Sequence, residues 1–156
     1  MVRACASILH QVILILCLAA LFIPTLDGPN SRRTANEAVT VGNLRRITTL
    51  QNDYAASHPT KGFACQLPLL KPSAPSRDAF DSDAFWLSGE RVGYRIAFAG
   101  CEPEPNSVVT RYRITAVPLE PRKSGVRAFC TDETGALWFD ASGSVENCLA
   151  SRRTIE

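Results

Sequence analysis

The chain has 156 residues, of which 46% are hydrophobic and 21% charged, and its formal net charge is +2 at pH 7. This length accommodates one small domain beside an apolar start. Because the positive excess is so small, the composition gives no reason to expect nucleic-acid binding.

A long apolar stretch runs from Ala4 to Ile23 and contains no formally charged residue. As a helix it would be about 30 Å long, which matches the hydrocarbon core of a bilayer. Such a stretch is either a membrane anchor or a secretory signal, and both export the residues that follow it. We expect an anchor, because Cys17 and Ala19 match a signal-peptidase site only loosely. The predicted organisation is a transmembrane helix over 1–24, a kink or linker over 25–31 and an exported domain over 32–156.

Residues 32–58 are predicted to form one long amphipathic helix, because no proline occurs there and apolar residues recur every three or four positions. The helix is expected to end at His58, since the residue before a proline avoids helical geometry. The apolar stripe comprises Ala38, Val41, Leu44, Ile47, Leu50 and Tyr54.

Alternating patterns follow a proline-rich loop over 61–76 and a short predicted helix over 78–88. The segments 91–99 and 109–117 alternate, and 127–131 and 136–140 flank a turn that contains Gly135. Leu137 and Trp138 fall on opposite faces of the last strand, so we expect one of them to be exposed. Residues after Asp140 are predicted as a polar tail. The predicted fold class is therefore α+β, with the long helix packed on a three- or four-stranded antiparallel sheet.

The six cysteines divide into two in the apolar stretch and four in the predicted exported domain: Cys65, Cys101, Cys130 and Cys148. Four cysteines in a small exported domain indicate two disulfides, and three connectivities are open from the sequence alone. No Cys-x-x-Cys or Cys/His spacing indicates a metal site.

Motifs for catalysis are missing from the sequence. Neither histidine, His10 or His58, belongs to a nucleophile motif, and no phosphate-binding loop occurs. We therefore expect neither enzymatic activity nor a cofactor. The carboxylates of Asp132, Glu133 and Asp140 leave calcium binding open, but they are few and lack the spacing of a known site, so a solvated hairpin turn is the simpler interpretation. A small basic face is predicted for Arg95, Arg111 and Arg113, and pairing with acids is the simpler interpretation of it.

Several motifs in chain order resemble type IV pilins and type II secretion pseudopilins. The run from Leu18 to Pro24 (LAALFIP) is similar to the end of the pilin apolar segment, and Ala35–Thr48 is similar to the helical run that follows it. Gly62–Cys65 (GFAC) fits the next loop, and Phe129–Gly135 (FCTDETG) with Phe139, Asp140 and Cys148 fits the C-terminal hairpin.

This resemblance implies a structural subunit that is held in the inner membrane by a single helix, with its domain in the periplasm or outside the cell. Its partners would be other pilin-like subunits and the membrane. It also implies the disulfides Cys65–Cys101 and Cys130–Cys148. The helix residues that we expect to serve assembly are Val41, Leu44, Ile47 and Tyr54.

The processing motif of the family is not matched. Counting back from Pro24, its glycine, phenylalanine and glutamate positions hold Val2, Arg3 and Ser7. These departures keep an alternative open, a secreted or anchored binding module on a pilin-like fold that does not assemble.

Overall fold

The computed structural model describes residues 28–73, 82–101 and 107–155. Within these ranges the order is helix α1 (Pro29–Ser57), a 3-10 turn (Leu67–Leu70), helix α2 (Asp83–Ser88), strands β1 (Glu90–Arg91), β2 (Tyr94–Gly100), β3 (Arg113–Pro118), β4 (Ala128–Asp132) and β5 (Leu137–Asp140), and helix α3 (Val145–Ser151). The predicted anchor over 1–24 lies outside the described residues. No helix in the described ranges is both long enough and apolar enough to cross a bilayer.

The predicted long helix is present, and it starts three residues earlier than the pattern indicates. Pro29 occupies its first turn, where a missing backbone N–H costs nothing and the fixed φ suits a helix. The helix ends at Ser57, one residue before the predicted boundary, because His58, which precedes Pro59, has left helical geometry, with φ −130° and ψ 62°.

The sheet is an antiparallel meander in which the strands neighbour one another in chain order, β1 to β5. It has five strands, so the predicted count of three or four is wrong. The alternation predicts a single strand over 91–99, whereas the chain reverses at Val92–Gly93, where both residues have positive φ. Positive φ at both central residues is the geometry of a two-residue hairpin, which makes Glu90–Arg91 a separate short strand.

Helix α1 packs on one face of the sheet and forms the main core with it. Leu44 and Ile47 of the helix are fully buried, as are Tyr94, Ile114 and Phe129 of the sheet. The predicted stripe is displaced around the helix, because Ala38 is exposed while Glu37, Thr40 and Gln51 are buried. Four of the six buried residues of α1 are thus polar.

The opposite face of the sheet is partly covered by the end of the chain. The predicted polar tail contains helix α3, which Ser144 caps by accepting a hydrogen bond from the backbone N–H of Asn147 at 3.2 Å. Beneath it Cys148 and Trp138 are buried in a second small core. The expectation that Leu137 or Trp138 would be exposed is therefore wrong, since Leu137 is half-buried against the main core.

Candidate functional site

A buried carboxylate ties α1 to the loop before β4. Glu37 Oε1 accepts hydrogen bonds from the backbone N–H groups of Val126 and Arg127, at 2.8 and 3.1 Å. Its Oε2 accepts from Nε of Arg127 at 2.8 Å. The side chain of Glu37 is only 9% exposed, so these contacts replace the water that the carboxylate has lost.

The charge of Glu37 also contributes to the raised pKa of a neighbouring tyrosine, Tyr94. Burial favours the neutral acid, but the hydrogen bonds from Val126 and Arg127 outweigh it and hold the pKa of Glu37 below its ordinary value. The Tyr94 hydroxyl donates to the carbonyl of Arg127 at 2.9 Å and lies 3.5 Å from Glu37 Oε1. Burial first, and then the negative charge of Glu37, raise the pKa of Tyr94. Both groups therefore keep one protonation state near neutral pH.

A second buried polar residue, Gln51, holds the C-terminal half of α1 to the loop that follows the helix. Gln51 donates from Nε2 to the carbonyl of Ala64 at 2.8 Å and accepts from the backbone N–H of Ala64 at 2.9 Å. Gln51 is fully buried, so both of these bonds form away from water. They fix the loop that carries Cys65 against α1.

The four cysteines of the described ranges form the disulfides Cys65–Cys101 and Cys130–Cys148, the pairing that the resemblance implies. The first joins the loop after α1 to the end of β2, and the second fastens α3 to β4.

The helix residues expected to serve assembly pack within their own domain and not on its surface. Leu44 and Ile47 are fully buried in the core, and Val41 and Tyr54 are partly buried beside it. Tyr54 also stacks on His58, with ring centroids 4.1 Å apart. These four side chains stabilise the domain, so contacts to another subunit would have to use the exposed face of α1.

The exposed face of α1 carries small and polar side chains together with Val39, which is 42% exposed. It includes Ala35, Ala38, Gly42, Arg45 and Thr49. A side-chain carbon added at Gly42 would meet no atom within 4 Å, so the backbone is open to close approach here.

An open cleft of about 410 Å³ lies beside β3, β4 and Cys101 of the first disulfide, and it is a candidate site for binding a small polar molecule. Its charged lining residues are Arg111, Arg113, Asp132, Glu133 and Arg152.

The ion pairs of this cleft are loose. Arg111 lies 3.9 Å from Glu133, and Arg152 lies 3.6 Å from Asp132. Within the described residues no acid pairs with Arg113, so three cations face two carboxylates. The expected pairing of the basic face is thus partial. Such a lining suits a small acidic group, for which guanidinium groups are efficient donors.

The other residues considered for chemistry have structural contacts. Asp140 accepts hydrogen bonds from the backbone N–H groups of Ser142 and Ser144 at 2.8 and 3.0 Å. Its pKa is lowered, chiefly by the hydroxyl of Ser142. Arg95 pairs with Glu90 at 2.7 Å, away from the cleft. Across the described ranges, no group of three or more His, Cys, Asp and Glu residues could hold a metal ion. His10 lies outside these ranges.

Sequence reasoning missed Glu37 and Gln51 as structural residues. The available signal was their spacing, because Glu37, Leu44 and Gln51 are seven residues apart and share one face of a helix. Two polar residues in phase with a buried leucine indicate buried hydrogen bonds, although their partners cannot be identified from local pattern.

Comparisons of this chain with family models, with curated proteins and with solved structures find no match.

Proposed function

We propose that this protein is a membrane-anchored, exported structural subunit of the pilin-like or pseudopilin type, which acts by packing its N-terminal helix against those of other subunits. The observation that carries the proposal is the position of α1. Its first residue, Pro29, lies a few residues after Ile23, the end of the apolar stretch, and hydrogen bonds from Arg33 to Gln51 hold the helix against the sheet domain. A helix that belongs to the folded domain and follows an anchor closely suits a filament subunit.

The disulfides support the exported part of the proposal. Two bridges within one small domain are typical of an oxidising compartment, such as the periplasm or the cell exterior.

The anchor is tested by expressing the full chain in a bacterium with two membranes and measuring its fraction in alkali-washed inner membranes. Leu14 lies near the middle of the apolar stretch. An arginine there costs roughly 2.5–3.5 kcal/mol of insertion free energy, whereas Leu14→Ile preserves apolarity. We expect Leu14→Arg to leave the membrane fraction and Leu14→Ile to remain. Equal retention of both variants would exclude a spanning anchor.

Assembly is tested by disulfide trapping in a chain whose Cys5 and Cys17 are replaced by alanine. Ala38→Cys places a thiol on the exposed face of α1, and Leu87→Cys places one on α2, where the side chain is 80% exposed. We expect intersubunit dimers from Ala38→Cys and few from Leu87→Cys. If neither thiol forms dimers in membranes, the subunit does not assemble through this face.

The cleft favours one alternative function, a binding module on the same fold that does not assemble. Its guanidinium groups would bind an acidic ligand, with Arg113 as the cation that no described acid pairs with. Titration with inorganic phosphate and tripolyphosphate, followed by amide chemical shifts, tests this alternative. Arg113→Gln should abolish any saturable shift, while Arg45→Gln, on the exposed face of α1, should not.

A further inference from the structure

We infer that the end of the domain next to the start of α1 is a surface that binds anionic lipid headgroups. We name it the basic end. It combines exposed or partly exposed cations with exposed aliphatic side chains: Arg32, Arg33, Arg122 and Lys123 with Val92, Leu119 and Val126. This inference rests on the proposed membrane anchor.

Hydrogen bonds hold the loop of the basic end against the first turns of α1. Arg33 Nη1 donates to the carbonyl of Arg122 at 2.9 Å, and Asn36 Nδ2 donates to the carbonyl of Ser124 at 2.8 Å. The hairpin turn joins them, because the backbone N–H of Leu119 donates to the carbonyl of Gly93 at 2.8 Å. Residues far apart in sequence thus form one continuous surface.

The acids near this surface are largely occupied. Glu120 pairs with Lys123 at 2.9 Å, and Glu37 pairs with Arg127 at 2.8 Å. Asp140, at the neighbouring edge, caps its own turn. In the described part of the chain, no ion pair involves Arg32 or Arg122. Among the described residues, the charges of Arg32 and Arg122 are therefore not neutralised by an ion pair.

The chain connection brings the basic end close to the bilayer. Gly28, which precedes α1, lies five positions after Ile23, the end of the apolar stretch. Fully extended, such a segment spans at most about 18 Å. The headgroup layer beyond the hydrocarbon core is itself roughly 5–8 Å thick. The field of an anionic surface extends a further Debye length, about 8 Å in physiological salt. A fully extended connection would place Gly28 a few ångströms beyond this field, and a shorter one places it within the field.

The chemistry of the surface fits a headgroup layer. The guanidinium and ammonium groups contact lipid phosphates, while Leu119 and Val126 are exposed enough to enter the boundary between headgroups and acyl chains. Each cation near an anionic surface favours the bound state by roughly fivefold. Loss of three cations should therefore lower the ratio of lipid-bound to free orientations by about a hundredfold.

The test uses the full chain reconstituted in vesicles, with Cys5 and Cys17 replaced by alanine. A fluorophore is attached at Val126→Cys in the basic end, or at Val108→Cys in the control. Val108 lies beyond the far end of α1, a helix of 29 residues that is about 43 Å long. Quenching by headgroup nitroxides is compared between phosphatidylcholine vesicles and vesicles with roughly 30% phosphatidylglycerol, an anionic lipid.

We expect stronger quenching at Val126→Cys in the anionic vesicles, and we expect salt at about 0.5 M to remove the difference. The label at Val108→Cys should not respond to lipid charge. Equal quenching of the two labels, or no effect of lipid charge at Val126→Cys, would overturn the inference.

A matched pair of triple variants tests the cations themselves. Arg32→Gln, Arg122→Gln and Lys123→Gln together should abolish the charge-dependent quenching, and Arg33 is kept because it holds the loop. The control triple replaces exposed cations elsewhere: Arg45, Lys61 and Lys71. Loss of quenching in both triples, or in neither, would contradict a local lipid surface.

Flotation of the same vesicles separates this inference from the proposed anchor. Co-flotation with both lipid mixtures, without charge-dependent quenching, overturns the lipid surface alone. Absence of co-flotation with either mixture overturns the anchor and, with it, the inference. Flotation that requires anionic lipid and is reversed by salt supports the basic end and contradicts the spanning anchor.

Discussion

Replacement of Glu37 by glutamine tests whether its carboxylate fastens α1 to the sheet. The glutamine amide is nearly the same size as the carboxylate, but it can accept hydrogen bonds with only one of its two terminal atoms. If its oxygen accepts from the backbone N–H groups of Val126 and Arg127, its NH₂ group faces Nε of Arg127, and two donors meet.

The expected loss of stability follows from the burial of the two partners. Removal of one partner from a fully buried ion pair costs about 3–5 kcal/mol. Here Glu37 is 9% exposed and Arg127 is 38% exposed, so water can solvate the guanidinium that is left. A hydrogen bond to a charged group, worth about 1.5–3 kcal/mol, is therefore the closer comparison. We expect Glu37→Gln to lower the free energy of unfolding by about 2 kcal/mol.

The assay is urea unfolding of the oxidised full chain at neutral pH, followed by circular dichroism. Glu120→Gln is the matched control, because the pair Glu120–Lys123 has side chains that are 64% and 81% exposed. An exposed pair of this kind contributes about 0–1 kcal/mol. A double-mutant cycle with Arg127→Gln isolates the coupling between Glu37 and Arg127.

The pH dependence gives a second readout. The pKa of Glu37 is lowered from 4.5 in the folded state, so its ionised form contributes stability above the unfolded value. This contribution is lost as pH falls below 4.5, and the difference between the wild type and Glu37→Gln should shrink there. A loss no larger than that of Glu120→Gln, or a difference that grows in acid, would refute the assigned role of the carboxylate.

Two further predictions concern glycines and disulfides. Gly42→Ala should raise the free energy of unfolding by about 0.5–1 kcal/mol, because the position is helical and open. Gly125→Ala should lower it, since the new Cβ would lie 2.1 Å from the Tyr94 hydroxyl oxygen; equal effects of the two variants in urea unfolding would contradict this packing. Replacement of both Cys130 and Cys148 by alanine should cost about 3 kcal/mol, because the bridge closes a loop with a sequence separation of 18. The loss should appear as a lower Tm in thermal unfolding, and an unchanged Tm would mean that the bridge does not stabilise the fold.

Features that depend on neighbours in sequence were determined by the sequence alone. The absence of proline between 30 and 58, together with regularly spaced apolar residues, predicts the long helix, and Pro59 sets its end. Alternation predicts the antiparallel strands, with the exception of Val92–Gly93. There the backbone reverses because both residues take positive φ, a conformation that the apolar pattern does not report.

Only the tertiary structure decided which polar groups are buried and what covers each face of the sheet. Glu37 is buried because its hydrogen-bonding partners, about ninety residues later in the chain, replace water. Trp138 is buried because the disulfide Cys130–Cys148 holds α3 over the face of the sheet opposite α1. Local sequence patterns report hydrophobicity and turn propensity. The free energy of burying a charge or an aromatic ring depends on partners that only the folded chain brings together.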